Sequence, residues 1–110
     1  MLGEAKKLGL EALVEVHTMG ELYRALDAGA EIIGVNQRNL ETLTMNPGVF
    51  EVIAPYIPPG IVSVAESGMH SAEQVKHVHA LGYKAVLIGE ALVRSEFPEK
   101  VIAEFQRVGG

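Results

Sequence analysis

The sequence contains no cysteine, and this absence excludes several classes of site. Without thiols the chain can form no disulfide framework, bind no metal through thiolates and use no cysteine nucleophile. Proteins without disulfides are typical of reducing compartments, so we expect a cytoplasmic location.

Basic residues are scarce as well. Lys and Arg number 9 against 14 Asp and Glu, and the formal net charge at pH 7 is −5. Nucleic-acid binding depends on clustered basic side chains that neutralise phosphates, so we expect no nucleic-acid partner. A small anionic ligand needs only a few local donors, and the composition leaves that class open.

Long apolar runs are also missing. No stretch approaches the ~20 apolar residues of a membrane span, and the first ten residues, which include Glu4, Lys6 and Lys7, do not form a signal peptide. We therefore expect no membrane partner. Hydrophobic residues still make up 48% of the 110 residues. That is enough for one small domain with its own core, which we predict to span residues 1–110.

An internal repeat organises the chain. The segments 8–16, 28–35 and 81–89 each contain a helix end, a glycine, one or two polar residues and a short β-branched run. Glycine suits the residue just after a helix, and such runs are typical of parallel strands covered on both faces. The repeat predicts parallel strands close to 11–16, 31–35, 61–65 and 84–88, each followed by a helix.

Helix starts are marked by polar residues. Thr18 with Glu21, and Ser71 with Gln74, have the spacing of capping boxes. Asn46 before Pro47 predicts a third start, and a last helix is predicted near Pro98.

The order of elements gives an α/β fold class. Residues 1–8 are interpreted as the tail of a preceding helix, and residues 11–110 as four strand–helix units. Four parallel units are half of a (β/α)8 TIM barrel, and a small open doubly wound sheet is the alternative. Glycine-rich turns after the last two strands favour the half-barrel, because barrel enzymes commonly bind phosphate there.

Polar residues at two strand ends are candidates for chemistry. Glu15 lies among apolar residues at the end of the first strand, where an unpaired carboxylate is costly to bury; it is either solvated or held for chemistry. His17, two residues later, either caps or lines a loop, as most such histidines do, or has a functional role. Asn36 has the same parity as the inward-facing residues of the second strand, and Arg38 could hold a carboxylate, although polar loops are common at strand ends.

Two glycine turns follow the third and fourth strands. Glu66, Ser67 and Gly68 form the first, and Gly89 and Glu90 form the second, where a short helical turn is predicted to begin. Backbone N–H groups in such turns can bind an anion. Each turn alone is weak evidence, but two at adjacent strand ends favour phosphate binding.

The histidines do not indicate a metal site. His77 and His79 are two residues apart, so their side chains diverge on a helix, whereas metal ligands on helices are three or four residues apart.

Four motifs together resemble the indole-3-glycerol-phosphate synthase family in order and spacing. They are ALVEVH (12–17), IGVNQRNL (33–40), VAESG (64–68) and VLIGEAL (86–92). The resemblance implies that the four units are strands five to eight of the family barrel. It also implies a lyase of tryptophan biosynthesis that closes the indole ring of 1-(2-carboxyphenylamino)-1-deoxyribulose 5-phosphate with loss of carbon dioxide and water. No cofactor and no metal are implied.

The resemblance also assigns roles to residues. By similarity Glu15 and Asn36 are catalytic, with Glu15 serving acid–base work in the dehydration. Arg38, Glu66 and Ser67 are implied to contact the substrate. The phosphate-binding turns are implied to contain Gly68, Gly89 and Glu90.

The family's first three strands carry further acidic and lysine residues that have no counterpart here. We therefore expect the chain alone to be inactive while retaining its phosphate grip. Its expected partners are a phosphorylated small-molecule substrate and either an amino-terminal half-barrel or a second copy of itself. The alternatives are a non-catalytic, self-associating half-barrel and another phosphate-binding barrel enzyme, such as a phosphoribosylanthranilate isomerase relative. Open strand edges near Glu15 and Val86 favour association.

Overall fold

A computed structural model describes residues 12–39, 44–45, 48–66, 71–88, 91–96 and 98–99. The main strands are β1 (Leu13–Val16), β2 (Ile32–Asn36), β5 (Val62–Glu66), β6 (Ala85–Ile88) and β7 (Ala91–Arg94), and a small hairpin pairs β3 (Arg38–Asn39) with β4 (Thr44–Met45). The helices are α1 (Met19–Asp27), α2 (Val49–Ile53), which continues into a 3-10 turn at Ala54–Tyr56, and α3 (Ala72–Leu81). The predicted helix tail at residues 1–8 lies outside the described residues.

The four predicted strands are confirmed as neighbours in one sheet, in the order β1, β2, β5, β6, with parallel pairing throughout. Each strand starts one or two residues later than predicted, and Ala12, before β1, is still helical. The strands β2 and β5 also extend one residue further than predicted, to Asn36 and Glu66. The architecture is a parallel α/β fold consistent with part of a (β/α)8 barrel. Its assignment to strands five to eight stays a prediction.

The segment after β6 departs from the predicted short helical turn. Residues Ala91–Arg94 form β7, which pairs antiparallel with β6 and sets Val86 against Val93. The reversal gives the outer backbone groups of β6 hydrogen-bond partners, which an edge strand otherwise lacks. The edge near Val86 is therefore covered, and the predicted open edge there was wrong. Among the described strands, β1 pairs only with β2, so the edge near Glu15 is open.

All three helices pack on one face of the sheet. Their buried residues form one cluster with the alternate strand residues Val16, Ile33, Val35, Ala65, Val86 and Ile88. A doubly wound sheet needs helices on both faces, so the described packing favours the barrel arrangement. None of the helices within the described residues is long and apolar enough to cross a lipid bilayer.

The predicted helix caps are largely confirmed. Thr18 is the N-cap of α1 and its Oγ1 accepts the Glu21 N–H at 3.1 Å, while Ser71 caps α3 by accepting the Gln74 N–H at 3.2 Å. The N-cap of α2 is Gly48, not Asn46, which lies outside the described residues. Two glycine stops also behave as predicted, since Gly29 and Gly82 have φ of 84° and 109°, values that side chains disfavour.

Candidate functional site

The face of the sheet opposite the helices carries two rows of side chains near the carboxyl ends of the strands. The strand register places Glu15 beside Gly34, and Gly34 beside Val64. Two residues further along β2, the same register places Asn36 beside Glu66. Since residues in register on parallel strands point to the same side, Glu15, Asn36 and Glu66 share this face. The structure thus brings together three residues that were singled out on three different strands.

Gly34 makes room for a close approach between the two carboxyls. A Cβ added at Gly34 would lie 1.9 Å from Glu66 Oε2 and 2.8 Å from Leu13 Cδ2. The Glu66 side chain therefore lies across the backbone of β2, toward Glu15 on the next strand. A glycine inside a strand commonly marks such an approach.

Glu66 is buried and perturbed. It is the last residue of β5, not the first residue after it, and it is 5% exposed. Burial, together with a hydrogen bond to Glu15 and the negative charge of Glu15, raises the pKa of the Glu66 carboxyl to about 8. At neutral pH this carboxyl is therefore mostly protonated, which allows it to donate to its neighbour.

Glu15 is the more exposed member of the pair, with 40% of its side chain accessible. Its Oε2 lies 3.0 Å from His17 Nε2. On its other side His17 meets Glu21, whose Oε1 accepts the His17 backbone N–H at 2.6 Å and lies 3.2 Å from Nδ1. The structure thus links Glu66, Glu15, His17 and Glu21 in one chain of ionisable groups.

Two buried polar atoms at this site lack hydrogen-bond partners among the described residues: His17 Nε2 and Glu66 Oε2. The 3.0 Å separation of Nε2 from Glu15 is thus an ion-pair distance without hydrogen-bond geometry. Leaving a buried polar atom unpaired costs about 1–3 kcal/mol, and folded proteins tolerate few such atoms. Both residues contact Glu15, which marks this carboxylate as the centre of the candidate site.

Asn36 lies beside the carboxyl pair, and Arg38 follows it two residues later. Asn36 ends β2 next to Glu66, and its Oδ1 accepts the Arg38 N–H at 3.0 Å. This bond fixes the amide within a local turn. Arg38 is exposed and begins β3, so the segment after β2, for which a polar loop was one interpretation, contains a two-residue strand.

The remaining predicted residues, Ser67, Gly68, Gly89 and Glu90, lie outside the described residues. Their roles stay predictions. The strands that precede them, β5 and β6, are neighbours in the sheet.

Two residues that contribute to the site, Gly34 and Glu21, were not predicted to do so from the sequence. Gly34 was visible as a glycine inside a strand, which is the usual signal of a close backbone approach. Glu21 was interpreted only as part of a capping box, but its carboxylate accepts from His17 instead of the Thr18 N–H. No local sequence pattern indicates that the Glu21 carboxylate accepts from His17, because this contact depends on where the His17 ring lies.

The arrangement can perform acid–base chemistry. A protonated carboxyl beside a charged one supplies a donor and an acceptor at the same place. Within the described residues no three His, Asp or Glu side chains are grouped as a metal ion requires.

Comparison with known proteins gives consistent matches. The sequence model of the family described as indole-3-glycerol phosphate synthase matches residues 1–105. The chain is 50% identical over 104 residues to the indole-3-glycerol phosphate synthase of Arthrobacter sp. (strain FB24), which covers 94% of this chain and 38% of that protein. It is 44% identical over 109 residues to the enzymes of Kineococcus radiotolerans and Rhodococcus jostii, covering 99% of this chain and 40% of each. The chain thus spans about 40% of the length of these curated relatives.

Proposed function

The chain belongs to the indole-3-glycerol phosphate synthase family, and from that premise we propose that it supplies the acid–base part of this lyase. The complete enzyme closes the indole ring of 1-(2-carboxyphenylamino)-1-deoxyribulose 5-phosphate, releasing carbon dioxide and water in the tryptophan pathway. The chain contributes the acid–base groups for the dehydration and the turns that bind the substrate phosphate.

The observation that carries this proposal is the carboxyl pair over Gly34. Loss of water from the ring-closed intermediate requires that one proton reach the departing hydroxyl and that another leave the ring system. Glu15, the accessible member, exchanges the proton with the substrate. Glu66, buried with its pKa raised to about 8, stores the proton beside it. Asn36, which lies next to the pair, and Arg38, whose backbone N–H donates to the Asn36 amide, position the substrate.

The phosphate grip is proposed for the two turns after β5 and β6. Ser67 and Gly68 form one, and Gly89 and Glu90 form the other; Ser67 also contacts the substrate. Backbone N–H groups at neighbouring strand ends suit an anion, and this pair of strands is adjacent in the sheet. Amide chemical-shift titration with inorganic phosphate tests the proposal. Perturbations in both turns would support it, and none at millimolar phosphate would contradict it.

Ring closure needs a further proton donor, and none of the lysines in the part of the chain that the structure describes lies at the site. Lys84 lies at the opposite end of the sheet, where its Nζ donates to the carbonyls of Pro59 and Ile61 at 2.6 and 3.1 Å. We propose that an amino-terminal half-barrel of the family supplies the donor by pairing with this chain, and that the chain alone is inactive.

Reconstitution tests the proposed function. The chain is mixed with an amino-terminal half of a relative's barrel, and formation of indole-3-glycerol phosphate is followed by its indole fluorescence. The mixture should turn over substrate while either half alone does not. Glu15→Gln should lower kcat by about 10²–10⁴-fold.

The matched control is Glu31→Gln, the same substitution at an exposed position just before β2. It should leave the rate unchanged. A mixture that is active with Glu15→Gln, or equally impaired by Glu31→Gln, would contradict the assignment.

A further inference from the structure

His17 has two anchors at the start of α1. Its backbone N–H donates to Glu21 Oε1 at 2.6 Å, and its ring Nδ1 lies 3.2 Å from the same oxygen. Only 18% of the side chain is accessible. The ring is thus held in one orientation by a residue one helical turn further along.

Glu21 also selects the tautomer of the ring. The backbone N–H of His17 holds the pKa of the Glu21 carboxyl below its usual range, and the ring and Arg24 act in the same direction. An ionised carboxylate only accepts hydrogen bonds, so Nδ1 carries a proton toward Glu21. The other nitrogen, Nε2, therefore presents its lone pair when the ring is neutral, and it lies 3.0 Å from Glu15 Oε2.

We propose that His17 is a positioning residue that acts through Glu15, with Glu21 as the anchor that fixes its ring. When the ring is protonated, Nε2 holds the ionised Glu15 carboxylate through the 3.0 Å ion pair; when the ring is neutral, Nε2 takes up the proton of a protonated Glu15, so the proton passes between these two groups between reaction cycles. The contact between Glu21 and His17 resembles the acid–histidine pair of hydrolases, in which the carboxylate fixes the tautomer of the ring. The inference rests on the proposed function, because it assumes that Glu15 exchanges a proton with the substrate.

The charged groups facing the ring come from two elements. Glu15 approaches it from β1 and Glu21 from α1, with Arg24 near Glu21 and Glu66 beyond Glu15. The unpaired, buried Nε2 is otherwise unexplained among the described residues.

The first test is the tautomer, measured on this chain without substrate. Ring ¹⁵N chemical shifts at a pH where the ring is neutral should show the proton on Nδ1. Glu21→Gln should remove that preference. A wild-type ring protonated on Nε2 would overturn the inference, whether or not the variants fold.

The second test is kinetic and uses the reconstituted barrel. His17→Gln keeps the backbone N–H that caps α1 but removes the ring, and it should lower kcat by about 10²-fold through misplacement of Glu15. KM should stay within about twofold, because the ring does not bind substrate, and the pH profile of kcat should shift. An unchanged kcat and pH profile, or equal losses in binding and rate, would overturn the inference.

The matched control is the other histidine–glutamate pair. His77 Nε2 lies 2.6 Å from Glu51 Oε2 on the exposed surface between α2 and α3, so His77→Gln should leave kcat and its pH profile unchanged. Failure of the proposed function is distinguishable, because it would appear as an inactive wild-type mixture with the Nδ1 tautomer still present.

Discussion

Gly34 controls the site at the scale of single residues. Its missing side chain leaves the space that the Glu66 carboxyl occupies, at a point where an added Cβ would meet Oε2 at 1.9 Å. The parity of Asn36 and the position of Glu15 were predictable from sequence, since both follow from strand alternation. The close approach of Glu66 to Glu15 was not, because it depends on strand register and on a side chain crossing a neighbouring strand.

The first prediction concerns Gly34→Ala. The added methyl group forces Glu66 and Leu13 aside, so the free energy of unfolding should fall by about 1–3 kcal/mol. Urea denaturation measures this change. Gly60→Ala is the control, because nothing lies within 4 Å of its Cβ position. Equal stability of the two variants would show that Glu66 does not lie over Gly34.

The second prediction concerns the pH dependence of stability. The pKa of Glu66 is raised from 4.5 to about 8 in the folded chain, so between these values the folded state holds a proton that the unfolded state has lost. The contribution of Glu66 to the free energy of unfolding is fully present below pH 4.5 and is lost as the pH rises toward 8. Glu66→Gln, which keeps a donor in place, should remove that loss.

The difference in unfolding free energy between Glu66→Gln and wild type should therefore grow with pH, by at most about 1.4 kcal/mol per pH unit. Denaturation curves at pH 5, 6.5 and 8 measure it. A constant difference across this range would contradict the raised pKa.

At the scale of elements, local signals predicted most of the fold. Gly29 and Gly82 end helices because glycine tolerates a positive φ. Thr18 and Ser71 begin helices because their hydroxyls accept a backbone N–H of the first turn. The strand β7 was not predictable, because its pairing with β6 is a contact between segments with no distinctive local pattern. The same holds for the two-residue pairing of β3 with β4.

The third prediction concerns the cap of α1. Thr18→Ala removes the acceptor for the Glu21 N–H and should lower the free energy of unfolding by about 1 kcal/mol. Thr18→Ser keeps the hydroxyl and should lose much less. Thermal or urea unfolding distinguishes the two, and equal losses would mean that the methyl group, not the hydroxyl, stabilises the helix start.

At the scale of the whole molecule, the outer edge of β1 leaves backbone hydrogen-bonding groups without a partner strand among the described residues. Val14 and Val62 are 40% and 38% exposed. Parallel order was predictable from the repeat of strands and helices. The partner was not, because an open edge indicates pairing without specifying the chain that pairs.

The fourth prediction is that the chain associates through β1. Analytical ultracentrifugation at micromolar protein concentrations should show a weight-average molar mass that rises with concentration. Val14→Lys should reduce this association, since a charged side chain at an edge disfavours pairing. Val52→Lys, on the exposed side of α2, should leave it unchanged. A folded monomer at all concentrations would contradict the prediction.

Glu15 and Glu66 place a charged carboxyl and a protonated carboxyl side by side at the carboxyl ends of β1 and β5. The most direct test is a carboxyl ¹³C titration of the chain labelled at glutamate, with the Glu66 signal assigned by its disappearance in Glu66→Gln. Glu66 should titrate with a pKa of about 8, raised by its burial beside Glu15. A Glu66 signal that titrates near 4.5, the ordinary value for a glutamate, would contradict it.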